Sequence, residues 1–448
     1  MDQLSQIVKA YDIRGTVPEQ MDTELTHALG RAAAVVLGGP EIVVGRDMRR
    51  SGPERAEAFT AGVRAQGVGT VDIGLASTDL LYYASGDMGV PGVMFTASHN
   101  PAQYNGMKFC RAGAEPVALD TGLAEMRDLI LDGTLPEPAD EPGAHRTVEG
   151  TIDAFADHVR GFVDVDALRP LKVAVDAGNG MAGLVVPAVF DALPFEVVPL
   201  YFELDGTFPN HPANPIEPEN LLDLQAAVRE HGCDIGLAFD GDADRMFCVD
   251  AEGNGVSPSL VTAVIADTTL RANPGETVLY NLICSRTVPE TVEAAGGKAV
   301  RTRVGHSYIK QVMAETGALF AGEHSGHYYF ADNYRADSGL IAAVILLQAL
   351  SVSGGTMADL VAPYDKYAAS GEINSTVADQ QAAIDAVREH FGDDAQISDP
   401  DGMLVEADRW WFNLRPSNTE PLLRLNVEGD DEATMAEIRD RVLGIVRG

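Results

Sequence analysis

Asp240, Asp242 and Asp244 place three carboxylates at alternate positions, with Arg245 directly after them. They follow Asp234-Ile235-Gly236-Leu237-Ala238-Phe239, a short apolar run bounded by turn residues that reads as a buried strand. Three anions at one strand end repel one another unless something positive sits among them. A divalent cation that prefers oxygen is the natural candidate, and Mg²⁺ suits a carboxylate set that leaves positions open for a substrate phosphate. An EF-hand also begins D-x-D-x-D, but its sixth position needs Gly and its twelfth Glu, where this chain has Arg245 and Ala251. An acidic, solvated turn is the plain alternative in a chain this acidic.

Three further segments concentrate polar groups between strand-like runs. Thr96-Ala97-Ser98-His99-Asn100-Pro101 follows Gly92-Val93-Met94-Phe95 and puts a small hydroxyl in a loop at a strand end, where it could act as nucleophile or phosphate carrier. A purely structural Ser-His-Asn-Pro turn competes with that reading, and no G-x-S-x-G elbow surrounds the serine. Gly322-Glu323-His324-Ser325-Gly326-His327 offers donors and acceptors between glycines, a composition suited to close approach by a polyol or phosphate. Its H-x-x-H spacing is a weak zinc signal without a third ligand nearby. Arg415-Pro416-Ser417-Asn418-Thr419-Glu420-Pro421 makes either a cradle for a phosphate dianion or a tight turn with an incidental Arg. Tyr11-Asp12-Ile13-Arg14-Gly15 and Thr302-Arg303-Val304-Gly305-His306 each set an Arg close to a turn Gly, and taken alone read as ordinary loops.

The elements that must position these groups alternate between strand-like and helix-like runs, which predicts α/β layers with mainly parallel pairing. Strand–turn segments at Glu41–Asp47, Val173–Gly180 and Thr277–Leu282 recur at intervals of about a hundred residues and hint at three related units. The stretch from Asp132 to Gly150 lacks periodicity and is rich in Pro, Gly and acids, so the first unit is expected to end there. After about residue 366 the order becomes strand (Glu372–Val377), helix (Gln380–Phe391), several strands and a last helix (Ala433–Val446), a smaller α+β unit with antiparallel pairing. The expected division is 1–147, 148–254, 255–366 and 367–448, carrying in turn the Ser98, Asp240, Glu323 and Arg415 loops.

A chain of 448 residues exceeds one core, and a hydrophobic content of 46% supports several. Its net charge of −35 argues against nucleic acid and anionic membranes as partners. An anionic substrate therefore needs a local cluster of cations, and with only six lysines most of them must be Arg, which suits bidentate phosphate binding. Cys110, Cys233, Cys248 and Cys284 form no C-x-x-C pair and read as buried free thiols. No signal peptide or membrane span is apparent, so a reducing cytoplasm is the expected location.

Taken together, T-A-S-H-N-P, D-G-D-A-D-R, G-E-H-S-G-H and R-P-S-N-T-E-P, in that order over some 320 residues, resemble the α-D-phosphohexomutase superfamily and most closely its phosphomannomutase/phosphoglucomutase branch. Y-D-I-R-G at the start and V-G-H-S-Y-I-K at 304–310 extend the likeness to the whole chain. The resemblance implies three related mixed α/β domains and a smaller C-terminal α+β domain around a central cleft. It implies a phosphoserine at Ser98, with Mg²⁺ held by Asp240, Asp242, Asp244 and that phosphate. Phosphoryl transfer to a hexose monophosphate would pass through a bound hexose 1,6-bisphosphate, which also serves as activator. Lys108 and His327 would move or stabilise protons, Arg245 would neutralise the transferring group, and Arg14 would line the cleft. Tyr11, His306, Glu323 and Ser325 would meet the sugar, and Arg415, Ser417, Asn418 and Thr419 would grip the phosphate that is not reacting. The implied substrates are mannose 6-phosphate and mannose 1-phosphate, with glucose phosphates as the alternative, glucosamine phosphates further behind, and a non-catalytic sugar-phosphate-binding protein as the rival class. A monomer or weak homodimer is expected. One departure bears on the sugar: Ile283 stands where characterised dual-specificity members carry Lys, so either that sugar contact is absent or Arg286 or Lys310 substitutes for it. His324 in the variable position of its loop favours mannose.

Overall fold

The structure, a computed structural model, describes residues 3–392, 395–416 and 422–448, apart from the side chain of His306. Three mixed sheets and one antiparallel sheet follow one another along the chain. The first runs in the order Ile13–Thr16, Tyr104–Arg111, Gly92–Phe95, Glu41–Arg46, Gly69–Leu75, His145–Thr147, with Glu115–Pro116 added beside Tyr104–Arg111. The second runs Gly255–Val256, Met246–Val249, Ile235–Phe239, Leu171–Asp176, Phe195–Leu200. The third runs Lys298–Thr302, Thr277–Asn281, Phe320–Gly322, Tyr328–Phe330.

One arrangement is repeated in all three. A central strand (Glu41–Arg46, Leu171–Asp176 or Thr277–Asn281) pairs in parallel with a second strand (Gly92–Phe95, Ile235–Phe239 or Phe320–Gly322). That second strand ends in a polar loop and returns antiparallel. The three strand–turn segments that recur in the sequence are thus the same strand of three similar units. Every residue of Gly92–Phe95, Ile235–Phe239 and Phe320–Gly322 is buried, which is why they read as unbroken apolar runs instead of alternating ones. Their loops lie at the carboxyl ends of parallel strands, where open α/β sheets place their ligands.

The three units share one large core, which includes Val43, Leu81 and Met94, Val175 and Phe239, and Phe320 and Ile341. The helix Gly339–Ser353 is apolar on all sides and buried along most of its length, as expected of a helix enclosed by other layers. The fourth sheet, Ala368–Thr376, Leu422–Gly429, Trp410–Pro416, Met403–Glu406, Gln396–Ser398, is wholly antiparallel. With the helices Gln380–Phe391 and Glu432–Val446 it encloses a separate small core around Phe391, Phe412 and Ile438. Its first strand begins at Ala368, four residues before the sequence pattern suggests, because a bulge between Ala369 and Glu372 interrupts the alternation. Within the aperiodic 132–150 stretch, His145–Thr147 pairs with Gly69–Leu75 while its three residues stay exposed, so its pattern is unreadable, although His145 Nδ1 lies 2.9 Å from Thr70 Oγ1.

Candidate active site

Ser98 sits three residues past the end of the strand Gly92–Phe95, in the turn toward Tyr104–Arg111, with its backbone in the left-handed region at φ +48°. A non-glycine residue held there, nearly fully buried, marks a loop whose surroundings over-determine its shape. Its hydroxyl donates to Asp240 Oδ2 at 2.7 Å and accepts from Arg245 Nη2 at 3.0 Å. Arg245 also donates through Nε to Asp240 Oδ2 at 2.8 Å and through Nη2 to His99 Nδ1. The serine and the acidic loop, 142 residues apart in sequence, are therefore in direct contact.

Asp240, Asp242 and Asp244 are buried and turn carboxylate oxygens toward one another, each within 4.8 Å of the others. Lys108, on the strand returning from the Ser98 loop, sets its ammonium 2.7 Å from Asp242 Oδ2 and 2.6 Å from Asp244 Oδ2. Burial alone would depress that ammonium, but the two carboxylates outweigh it and hold its pKa well above the ordinary value. Asp242 shows the balance from the other side: burial raises its pKa, and Lys108 more than reverses the effect, so it stays ionised. Burial, then the charge of Asp242, push Asp244 well up. With all three carboxylates ionised, Lys108 and Arg245 would leave one excess negative charge in this buried site.

Three helix N-termini share that excess. Thr78, opening the helix Thr78–Met88, gives its backbone N–H to the Asp242 carbonyl at 3.0 Å and its hydroxyl to Asp242 Oδ2 at 2.6 Å. Met181, just before the helix Ala182–Phe190, donates to the Gly241 carbonyl at 2.9 Å. Gly339 starts the long buried helix so close to the loop that a Cβ would lie 2.9 Å from the Arg245 carbonyl. The partial positive charge at such termini favours anions. Even so, Asp242 Oδ1 and Asp244 Oδ1 are buried and accept no hydrogen bond among the described residues. Two orphaned carboxylate oxygens beside an uncompensated charge are what a divalent cation with oxygen ligands would satisfy.

The third loop is bolted to this one by the backbone: Arg245 and His327 form a β-bridge, and Met246 N–H donates to the Gly326 carbonyl at 3.1 Å. His327 Nε2 lies 3.6 Å from Asp244 Oδ1 and 3.8 Å from Asp337 Oδ2, with Ser325 Oγ 3.0 Å from Nδ1. Burial holds its pKa below that of a free histidine, so the ring is neutral at pH 7 and can take up a proton. Glu323 is fixed by Tyr329 OH at 2.8 Å and Asn281 Nδ2 at 3.1 Å. His324 turns instead toward Ser259 Oγ, 3.1 Å from its Nδ1.

Arg14 reaches Asn100 Oδ1 from the neighbouring edge strand while bonded to Asp12. Tyr11 packs edge-on against Tyr308, 5.9 Å between ring centres, and burial followed by Tyr308 raises its phenol to about 12. Arg415 pairs with Glu372 at 3.1 Å. Ser417, Asn418, Thr419 and the His306 side chain lie outside the described residues.

Of the two alternatives at Ile283, the structure speaks against substitution by Arg286 or Lys310. Arg286 spends its guanidinium on the carbonyls of Ala407, Asp408 and Trp410, tying the fourth sheet to the third unit. Lys310 is buried against Asp337 at 2.8 Å and over the Tyr82 ring at 3.8 Å. Neither commitment could be read from a sequence, because the partners are backbone carbonyls in one case and residues of two other segments in the other. Sequence reasoning also passed over Thr78, His99 and Asp337. Only His99 carried a signal, its place beside Ser98.

A hydroxyl between an anion cluster and an arginine, with a lysine and a neutral imidazole alongside, has the parts for phosphoryl transfer: an acceptor, cations for the phosphate and a proton carrier. The chain matches the family descriptions "Phosphoglucomutase/phosphomannomutase, alpha/beta/alpha domain I" over residues 5–130, domain II over 153–253, domain III over 257–367 and the C-terminal domain over 372–445. It is 41% identical to the "Phosphohexose mutases" of Xanthomonas campestris pv. campestris, over 98% of this chain and 99% of that one. It is 39% identical to the "Phosphomannomutase" of Escherichia coli K12, over 97% of each. A crystal structure of a phosphoglucomutase/phosphomannomutase family protein from Burkholderia thailandensis superposes with a TM-score of 0.89 at 32% identity, covering 100% of this chain and 98% of that one. The chain belongs to the phosphoglucomutase/phosphomannomutase family, and is with it a phosphohexomutase, an intramolecular phosphotransferase of the isomerase class.

Proposed function

We propose that this enzyme interconverts mannose 6-phosphate and mannose 1-phosphate, with a phosphoserine at Ser98 as the phosphate donor and acceptor. The observation that supports it most is the contact of Ser98 Oγ with both Asp240 and Arg245 at the rim of a cluster that still holds two orphaned carboxylate oxygens. Asp240, Asp242 and Asp244, with an oxygen of the Ser98 phosphate, would hold Mg²⁺. Mg²⁺ when bound would supply charge neutralisation for the transferring group.

The residues of the chain divide the remaining work. Arg245 is placed to neutralise the phosphoryl oxygens beside Ser98, and Arg14, anchored on Asn100, to keep the substrate oxygen in line. Neutral His327 is suited to take the proton of the attacking sugar hydroxyl, with Lys108 shielding the charge that develops. Glu323, pinned by Tyr329 and Asn281, and Ser325 are offered to sugar hydroxyls, with Tyr11 and His306 beside them. Arg415 with Ser417, Asn418 and Thr419 would grip the distal phosphate. A grip that reads a phosphate and not a ring position lets one site handle both orientations of a bound hexose 1,6-bisphosphate, which also restores phosphoserine when it is lost. The four buried free thiols suit a reducing cytoplasm. Small hexose phosphates are the proposed partners, with the protein a monomer or weak homodimer. Among the described residues no helix is long and apolar enough to cross a membrane.

Comparing kcat/KM for mannose, glucose and glucosamine 1-phosphates tests the substrate. Mannose 1-phosphate should lead, and a hundredfold preference for glucose 1-phosphate would make the enzyme a phosphoglucomutase instead. Intact mass after incubation with glucose 1,6-bisphosphate should show one added phosphate, absent in Ser98→Ala.

A further inference from the structure

Arg49 belongs to none of the loops described above, yet its side chain is fully buried and every N–H of its guanidinium is engaged. Nε donates to Asp47 Oδ2 at 3.2 Å, Nη1 to the carbonyls of Pro101 and Tyr104 at 2.9 Å each, and Nη2 to those of Ser98 at 2.9 Å and Asn100 at 2.6 Å. A guanidinium has five donors, and all five are spent, four of them on one turn. The chain from Ser98 to Tyr104 is wrapped around Arg49 with its carbonyls pointing inward. Such a turn cannot keep this shape unless a cation with several donors in one plane fills its centre. Ser98, whose carbonyl is one of the four, stands in the left-handed region at φ +48°.

The same side chain is held from the second unit. The Phe208 ring lies against the guanidinium, 5.2 Å from its centre to the Arg49 carbon. Gly206 comes so near that a Cβ would stand 2.7 Å from Arg49 Cα. On the other side of the turn a Cβ at Gly241, in the acidic loop, would stand 2.5 Å from the Ser98 carbonyl, the oxygen that Arg49 holds. Arg49 is thus where the Ser98 turn and the unit carrying the aspartates are indexed to each other.

We infer that Arg49 is a positioning residue for phosphoryl transfer: its guanidinium sets where the Ser98 oxygen stands relative to Asp240 and Arg245, without touching substrate. The inference rests on the phosphoserine reading proposed above. Lysine at this position keeps the charge but loses the planar fork, with three donors where five are used. A shift of about 1 Å in a reacting atom costs roughly a hundredfold in rate, while sugar and distal-phosphate contacts, which set KM, are made elsewhere.

The test compares wild type, Arg49→Lys and Gly206→Ala. The last variant pushes on the Arg49 backbone from the second unit and changes no residue of the Ser98 turn itself. The readouts are steady-state kinetics, the rate of Ser98 phosphorylation by glucose 1,6-bisphosphate from intact mass, and the ³¹P resonance of the phosphoserine. Expected is a fall in kcat of about a hundredfold in Arg49→Lys and a smaller fall in Gly206→Ala. KM should stay within about threefold in both, with slowed phosphorylation and a displaced ³¹P signal. Should Arg49→Lys not fold, Gly206→Ala decides by the same readouts. Unchanged kcat and ³¹P signal in a folded variant, or a rise in KM alone, would overturn the role of Arg49 while wild-type phosphoserine stands. Wild type that never gains the phosphate would overturn the phosphoserine reading, and this inference with it.

Discussion

The Ser98 turn and the Asp240–Asp244 loop occupy equivalent places, each between a buried parallel strand and its antiparallel return, and they solve opposite problems. The first gathers backbone carbonyls around a cation of the chain's own, the Arg49 guanidinium, and saturates it. The second gathers carboxylates around Lys108 and Arg245, which are too few, and leaves Asp242 Oδ1 and Asp244 Oδ1 without a hydrogen bond among the described residues. One loop has its cation fully bonded; the other is complete only when something charged arrives. A mutase needs both, because the group that moves must start from a fixed point and end in a field that accommodates changing charge.

The largest expected effect removes the atom the two loops share. Ser98→Ala should lower turnover by at least about 10⁴-fold and abolish the mass shift with glucose 1,6-bisphosphate; residual activity near wild type would break the comparison outright. Asp242→Asn attacks the open loop. It removes one negative charge and leaves Lys108 and Thr78 with a weaker acceptor, so titration calorimetry should find Mg²⁺ binding weakened about tenfold or more, and turnover should fall severely. Lys108→Met sharpens the contrast. Removing the resident ammonium deepens the negative charge, so Mg²⁺ affinity of the unphosphorylated enzyme should rise by about tenfold even as kcat falls. Weaker Mg²⁺ binding in that variant would show that Lys108 supports the cation instead of competing with it.

The smallest effect lies beneath both loops. Asp79, next to Thr78, is buried and accepts from Ser338 at 2.6 Å and from Ser77; burial raises its carboxyl to about 7. A raised folded-state pKa means the stability it contributes is fully present below the unfolded value of 3.8 and is lost as pH rises through about 7. Asp79→Asn should therefore leave Tm unchanged near pH 4 and raise it by several degrees at pH 8, with activity little altered. An equal shift at both pH values would locate the effect in hydrogen bonding and not in charge.

How legible the site was depends on what each residue bonds to. The aspartates, Ser98, Glu323 and His327 sit in short polar runs after apolar strands, and such runs are visible because side chains of one type are clustered in sequence. Arg49 left no comparable trace: its partners in the Ser98 turn are carbonyls, which every residue has, so nothing in the sequence of that turn announces an arginine at its centre. Thr78 was hidden for a related reason. Its value lies in opening a helix against a loop 164 residues away. Arg286 shows the converse error, a cation that looked free for substrate and is committed to carbonyls of the fourth sheet.

By itself the sequence determined the alternation of strands and helices, the antiparallel character of the last unit and the identity of the reactive groups. Periodicity and local composition carry that information, and both are properties of neighbours along the chain. Only the tertiary structure decided which charges compensate which. Lys108 falls to the aspartates, Lys310 to Asp337 and Arg49 to the Ser98 turn, leaving one negative charge uncovered. Electrostatic balance depends on distance and burial, and folding sets both by bringing together residues that are not neighbours along the chain.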